Sequence, residues 1–250
     1  MKTTSEIPSG HTFLDFNAPL SDARAKELIS GLQPLGGRQI VDLGCGWAEL
    51  LLRILAAEPT ATGVGIDSDA AAIERGRRNA TERGLADRIS LQDGDVTDWT
   101  QPADVLISIG SSHAWGGDWN ASARALLSIR DRLRPGGRLL FGDAFWERTP
   151  TAAALDGLGA APGELPLLAG LVDLALTTGY RPLAVSVADI DEWDSFESRF
   201  CAGRERWLLE HPDAPNAAEV RAVVDQHRNG WLYGYRGYLG FAYLTLALPA

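Results

Sequence analysis

Three acids, Asp42, Asp67 and Asp95, stand at or just past the ends of apolar runs, and Gly44 and Gly46 follow the first of them in "VDLGCGWAE". Glycines spaced this tightly let a backbone turn sharply and come close to a ligand. Asp67 stands about 20 residues beyond that turn, where an acid at a strand end accepts hydrogen bonds from ribose hydroxyls. A dinucleotide fingerprint needs G-x-G-x-x-G, but Gly44, Gly46 and Glu49 occupy those positions, so the third glycine is missing. Asp42 precedes the turn and would repel a pyrophosphate while favouring an ammonium group. The set suits a ribose-bearing molecule with a cationic amino acid end. His113, in the loop "GSSHAWGG", adds an imidazole able to take a proton from a hydroxyl or amine. A histidine that only hydrogen-bonds its own loop is the alternative.

Such residues need strand ends to carry them. Gln39 to Leu43 reads as a buried strand, and Glu49 to Ala57 has helical apolar spacing that stops before Pro59. The alternation repeats. "ATGVGID" is a strand, Asp69 caps a helix from Ala70 to Arg83, and Gly84 ends it. "DRISLQDGD" and "ADVLISIG" hold strands, Asn120 to Leu133 is an amphipathic helix, and "RPGG" turns into the strand "RLLFGD". This rhythm predicts an α/β fold with a doubly wound, parallel sheet. Ser21 or Asp22 caps an earlier helix, and the first 20 residues read as an arm or lid.

Past Phe145 the rhythm changes. "TPTAAALDGLGAAPGELP" reads as a loop, Leu167 to Thr178 as a helix, and "LAVSVADI" as a strand. Asp191 to Tyr238 is largely helical, and "GFAYLTLAL" closes the chain as an alternating strand. The predicted domains are an arm (1–20), a ligand-binding domain (21–190 and 239–250) and a helical cap inserted near the C-terminus (191–238).

The bulk properties exclude several classes. With 250 residues, 45% of them hydrophobic and 22% charged, the chain reads as an ordinary globular protein with a real core. The net charge is −10 and there is no basic run, so nucleic acid is not expected as a partner. No apolar run spans a bilayer, and the N-terminus lacks an apolar signal region, which predicts a cytoplasmic protein without membrane contact. Two cysteines make no disulfide framework, and no Cys/His cluster has zinc spacing, so no metal is expected.

At this point the sequence resembles the class I S-adenosylmethionine-dependent methyltransferases. "VDLGCGWAE" resembles their first motif, with Ala48 where a third glycine is commonest, and "GVGIDSD", "LQDGDVTDW" and "RLRPGGRLLF" resemble the next ones in order. Segments such as "IGSSHAW" and "WLYGYRGYLGF" resemble stand-alone bacterial-type members and extend the likeness over nearly the whole chain. The resemblance implies a Rossmann-like, seven-stranded, mostly parallel sheet and S-adenosyl-L-methionine as cofactor. It implies that Asp42, Gly44, Cys45, Gly46, Asp67, Ser68, Asp95, Val96, Ile109 and Gly110 hold that cofactor. The activity implied is methyl transfer. The residues themselves lead us to expect a small-molecule substrate methylated on an O or N atom, with His113 as the candidate general base, and a monomer or homodimer. A non-methylating enzyme that binds the same cofactor, or a non-catalytic binding module, is the alternative.

The remaining candidates divide between packing and substrate. Cys45 reads as a small filler rather than a nucleophile, since no His is near it in sequence. Of Trp115, Trp146, Trp193, Trp231, Tyr233, Tyr235 and Tyr238, most read as cap core; Trp115, Trp146 and Tyr233 are taken as candidates to face the acceptor. Asp143 is a fourth candidate, although with Glu147 it also reads as a solvated loop acid. His211 and His227 read as surface residues.

Overall fold

The computed structural model describes residues 7–116 and 121–249. Its centre is a 7-stranded sheet of order β3-β2-β1-β4-β5-β7-β6. In chain order the elements begin with α1 (Asp22–Gly31), β1 (Gln39–Leu43), α2 (Glu49–Ala57), β2 (Thr62–Asp67), α3 (Ala70–Glu82) and β3 (Ile89–Asp93). They continue with β4 (Ala103–Ile109), α4 (Ala121–Arg130), β5 (Leu133–Trp146), α5 (Ala152–Leu158), α6 (Leu168–Thr177) and β6 (Arg181–Val187). The last are α7 (Ile190–Glu210), α8 (Ala217–Asn229), a π-helical turn (Gly230–Tyr235) and β7 (Leu239–Ala247). The β1/β2, β1/β4, β2/β3 and β4/β5 pairs are parallel, and β6/β7 is antiparallel. The expected α/β class and mostly parallel sheet are present.

Local chemistry explains the elements that matter most for a site. Ile40, Val41 and Leu43 of β1 and Leu51, Leu52 and Leu55 of α2 are wholly buried, so both are fixed by apolar burial. Asp69 accepts from the amides of Ala71 and Ala72 and starts α3, as its position after β2 predicts. The "RPGG" turn is a protrusion within β5: the pairing with β4 jumps from Ala103↔Leu133 to Val105↔Arg138.

Some expectations need correction. The segment after Phe145 is not all loop, because Thr151 caps α5 by accepting from the Ala154 amide. α4 stops at Arg130, since Leu133 already pairs in the sheet; its expected start at Asn120 lies outside the described residues. β7 is buried on both faces rather than alternating, because it lies inside the sheet between β5 and β6.

The chain forms two compact units. The larger comprises Ser21–Phe145, Glu164–Val187 and Phe241–Ala250; the other comprises Met1–Leu20, Trp146–Gly163 and Ala188–Gly240. The helical segment expected as a cap is therefore joined in one unit by the arm and by α5. In that unit α5 and the π-helical turn meet through glycine: a Cβ on Gly157 would lie 2.6 Å from the Gly230 carbonyl oxygen. Glu197, buried within α7, accepts from the Tyr235 hydroxyl at 2.7 Å and bonds His227 Nε2 at 2.6 Å. His227 is thus half-buried and bonded to α7, whereas His211 is exposed as expected.

Candidate functional site

The sheet order reverses between β1 and β4, where open α/β sheets place their ligands. Parallel register sets Asp42 beside Gly65 on one side and Ile107 on the other. The turn after β1 is then held from two directions. Ser111, just past β4, donates through Oγ to the Leu43 carbonyl at 2.7 Å and shares a hydrogen bond of 2.8 Å with Ser108 Oγ. Gly44 has φ +85°, and a Cβ there would lie 2.2 Å from Ser111 Cβ. What comes close at Gly44 is the β4 loop.

From the other side, β2 takes up the amides of the turn. Gly44 and Cys45 both donate to the Ile66 carbonyl, at 2.8 and 3.0 Å. The Gly46 amide donates to Asp67 Oδ2 at 2.7 Å, and the Asp69 amide to Asp67 Oδ1 at 2.9 Å. The first amides of the turn thus bond within the fold. Gly46 differs from Gly44 in one respect: a Cβ built on it meets nothing within 4 Å.

The acids differ in environment. Asp42 is buried; loss of solvation first, and the charge of Asp67 second, push its carboxyl up to about 8. Cys45 packs against Gly65, and burial, followed by the charges of Asp42 and Asp67, raises its thiol well above the usual value. Its small side chain fills the space beside Gly65. Asp95 is exposed and accepts from the Thr97 hydroxyl at 2.6 Å and amide at 2.8 Å, which lower its carboxyl. The Val96 side chain belongs to the core. Ser68 and Gly110 are exposed, and Ile109 is half-buried at the end of β4.

Sequence reading gave no role to Glu49, the first residue of α2, beyond its place where a third glycine would stand. Glu49 is buried and accepts from Arg53 Nε at 2.8 Å and Arg83 Nη2 at 2.7 Å. Ala48, just before it, adopts the left-handed conformation with φ +57°. The serines 108, 111, 112 and 122 were missed too, since a hydroxyl in a small-residue loop carries no spacing signal.

Comparison with known proteins places this arrangement. Residues 40–137 match the family described as a methyltransferase domain. The Escherichia coli protein YjhP is 31% identical over 83% of this chain and 83% of its own. Methyltransferase ungE' of Aspergillus campestris is 30% identical over 80% of this chain and 57% of its own. A solved structure of a methyltransferase from Geobacter sulfurreducens, in complex with S-adenosylhomocysteine, has a TM-score of 0.86 at 27% identity and covers 96% of each chain. The chain belongs to the class I S-adenosylmethionine-dependent methyltransferases.

In this methyltransferase the turn after β4, Ser112–Trp115, carries His113, whose side chain is exposed. The residues expected to face the acceptor differ in their local settings. Trp115 is in the hydrophobic core and has the Arg132 guanidinium 5.2 Å from its ring. Asp143 is buried rather than solvated: Ser122 Oγ donates to Oδ2 at 2.6 Å, the Ala144 amide to Oδ1 at 2.9 Å, and Ser112 donates as well. Burial raises its carboxyl, while these donors and His113 pull it down. In the other unit Trp146 is buried and Tyr233 is 80% exposed. Among the described residues no group of His, Cys, Asp and Glu could hold a metal, and no helix is long and apolar enough to cross a membrane.

Proposed function

We propose that this methyltransferase moves the methyl group of S-adenosylmethionine to an oxygen or nitrogen atom of a small-molecule acceptor. The observation that carries the reading is the exposed His113, two residues beyond the Ser111 that packs on Gly44. The residues of the turn fit the cofactor. Gly46 leaves a space that a Cβ would fill, and Asp67 Oδ1 and Oδ2 keep lone pairs for ribose hydroxyls beyond the one amide that each accepts. Asp42 is a buried carboxyl that a ligand ammonium would stabilise in its charged form. Asp42, Gly44, Cys45, Gly46, Asp67, Ser68, Asp95, Val96, Ile109 and Gly110 would hold the cofactor, Cys45 and Val96 from beneath.

When bound, S-adenosylmethionine supplies a methyl carbon on a sulfonium, open to displacement from the side opposite the sulfur. His113 takes the proton from the acceptor hydroxyl or amine as that displacement proceeds, a role that contributes on the order of 10²–10⁴ in rate. The acidic balance of −10 and the absence of a basic run favour a small molecule over nucleic acid. Strand β4 ends in "IGSSHA", without the Asn/Asp-Pro-Pro-aromatic run of base-modifying relatives of the fold.

Methyl-labelled S-adenosylmethionine, incubated with the enzyme and a fractionated cell extract, tests the reading. Label is expected in the low-mass fraction together with S-adenosylhomocysteine. Label in protein or nucleic acid would contradict a small acceptor. Cofactor bound without release of S-adenosylhomocysteine would support a non-methylating enzyme instead.

A further inference from the structure

Asp143, the buried acid near the end of β5, is not used by the reading above. Within the larger unit its carboxyl is held by donors from three places: Ser122 of α4, Ser112 of the turn that carries His113, and its own neighbour Ala144. A buried carboxyl with three donors is an anchor, with most of its acceptor capacity already taken. It ties β5, α4 and the β4 turn at one point, and His113 lies within range of its charge.

We propose that Asp143 is a positioning residue for His113: through Ser112 it fixes the turn on which the imidazole stands. The proposal rests on the reading of His113 as the base. Catalytic imidazoles work when a second group holds their orientation, and a buried, multiply bonded acid does this without moving. The Ser122 link extends the same hold to the first turn of α4. No covalent step is assigned to Asp143; a proton taken by His113 stays on the imidazole until solvent removes it.

The test reads His113 without any acceptor. The chain has four histidines, and the ring carbon–proton signals of His113 are assigned by their loss in His113→Gln. Asp143→Ala and Ser112→Ala are expected to shift and broaden the His113 signals while those of the other histidines stay in place. Ser112→Ala removes only the link to the turn, and it decides the question alone if Asp143→Ala does not fold. His113 signals that superimpose on wild type in the folded variants would overturn the proposal. The second readout is label transfer to the low-mass fraction. A loss of about tenfold or more is expected in Asp143→Ala at unchanged S-adenosylmethionine affinity, with no further loss when Asp143→Ala is added to His113→Gln. Additive losses would mean a structural role only and also overturn it. If His113 moves but His113→Gln keeps full transfer, the base reading fails while the positional link stands.

Discussion

Asp67 holds the glycine turn at Gly46: the Gly46 amide donates to Asp67 Oδ2 at 2.7 Å, across 21 residues of sequence. Its other oxygen accepts from Asp69, the residue that caps α3. One side chain therefore joins the β1 turn to the start of the next helix before any ligand arrives. Asp67→Ala strands both amides and should cost about 1–3 kcal/mol, read as a lowered midpoint in urea. Asp67→Asn, which keeps one acceptor oxygen, should cost less.

Gly44 and Gly46 should separate folding from binding. At Gly44 a Cβ would collide with Ser111 at 2.2 Å, on top of a positive φ, so Gly44→Ala should be severely destabilising or fail to fold. At Gly46 the left-handed conformation costs about 1–2 kcal/mol, and no atom lies within 4 Å of the new methyl. Gly46→Ala should fold and lose most of its affinity for S-adenosylmethionine, measured by calorimetry. Equal losses of stability in the two variants would contradict the assignment.

Asp42 makes stability depend on pH in a definite direction. Its carboxyl lies near 3.8 when unfolded and about 8 in the folded chain. Between these values the folded chain holds the extra proton, so stability falls as pH rises from about 4 to about 8. Asp42→Asn should flatten that slope in unfolding experiments run across the range. A cationic cofactor end beside Asp42 favours the ionised form, so binding near pH 7 should release up to about one proton per chain. Calorimetry in buffers of different ionisation enthalpy measures it, and Asp42→Asn should release less.

The succession of strands along the chain and the acids at their ends were legible because burial forces period and glycine marks turns. The β1 and α2 bounds follow from "QIVDL" and "ELLLRILAA" alone. Less legible were contacts made between distant segments. Nothing in "GSSHAW" says that Ser111 packs on Gly44 or that Ser112 reaches Asp143, residues that meet only when the sheet forms. Trp115 and Tyr233 show the same limit in side-chain direction: one is core, the other surface, and both carry the same sequence signal.

The Glu197 cluster predicts a second stability effect, in the helical unit. Glu197→Ala leaves the Tyr235 hydroxyl and His227 without their shared acceptor and should cost about 2–4 kcal/mol. Glu197→Gln keeps one acceptor and should cost less. Denaturant unfolding of both variants checks the order.

Titration of S-adenosylmethionine into wild type and Asp67→Ala, by calorimetry at one temperature and pH, addresses the cofactor seat most directly. Saturable binding of one cofactor per chain is expected in wild type, weakened about 30-fold or more in a folded Asp67→Ala, as loss of hydrogen bonds to a charged group implies. Equal affinity in the two proteins, or no binding to wild type, would contradict the account.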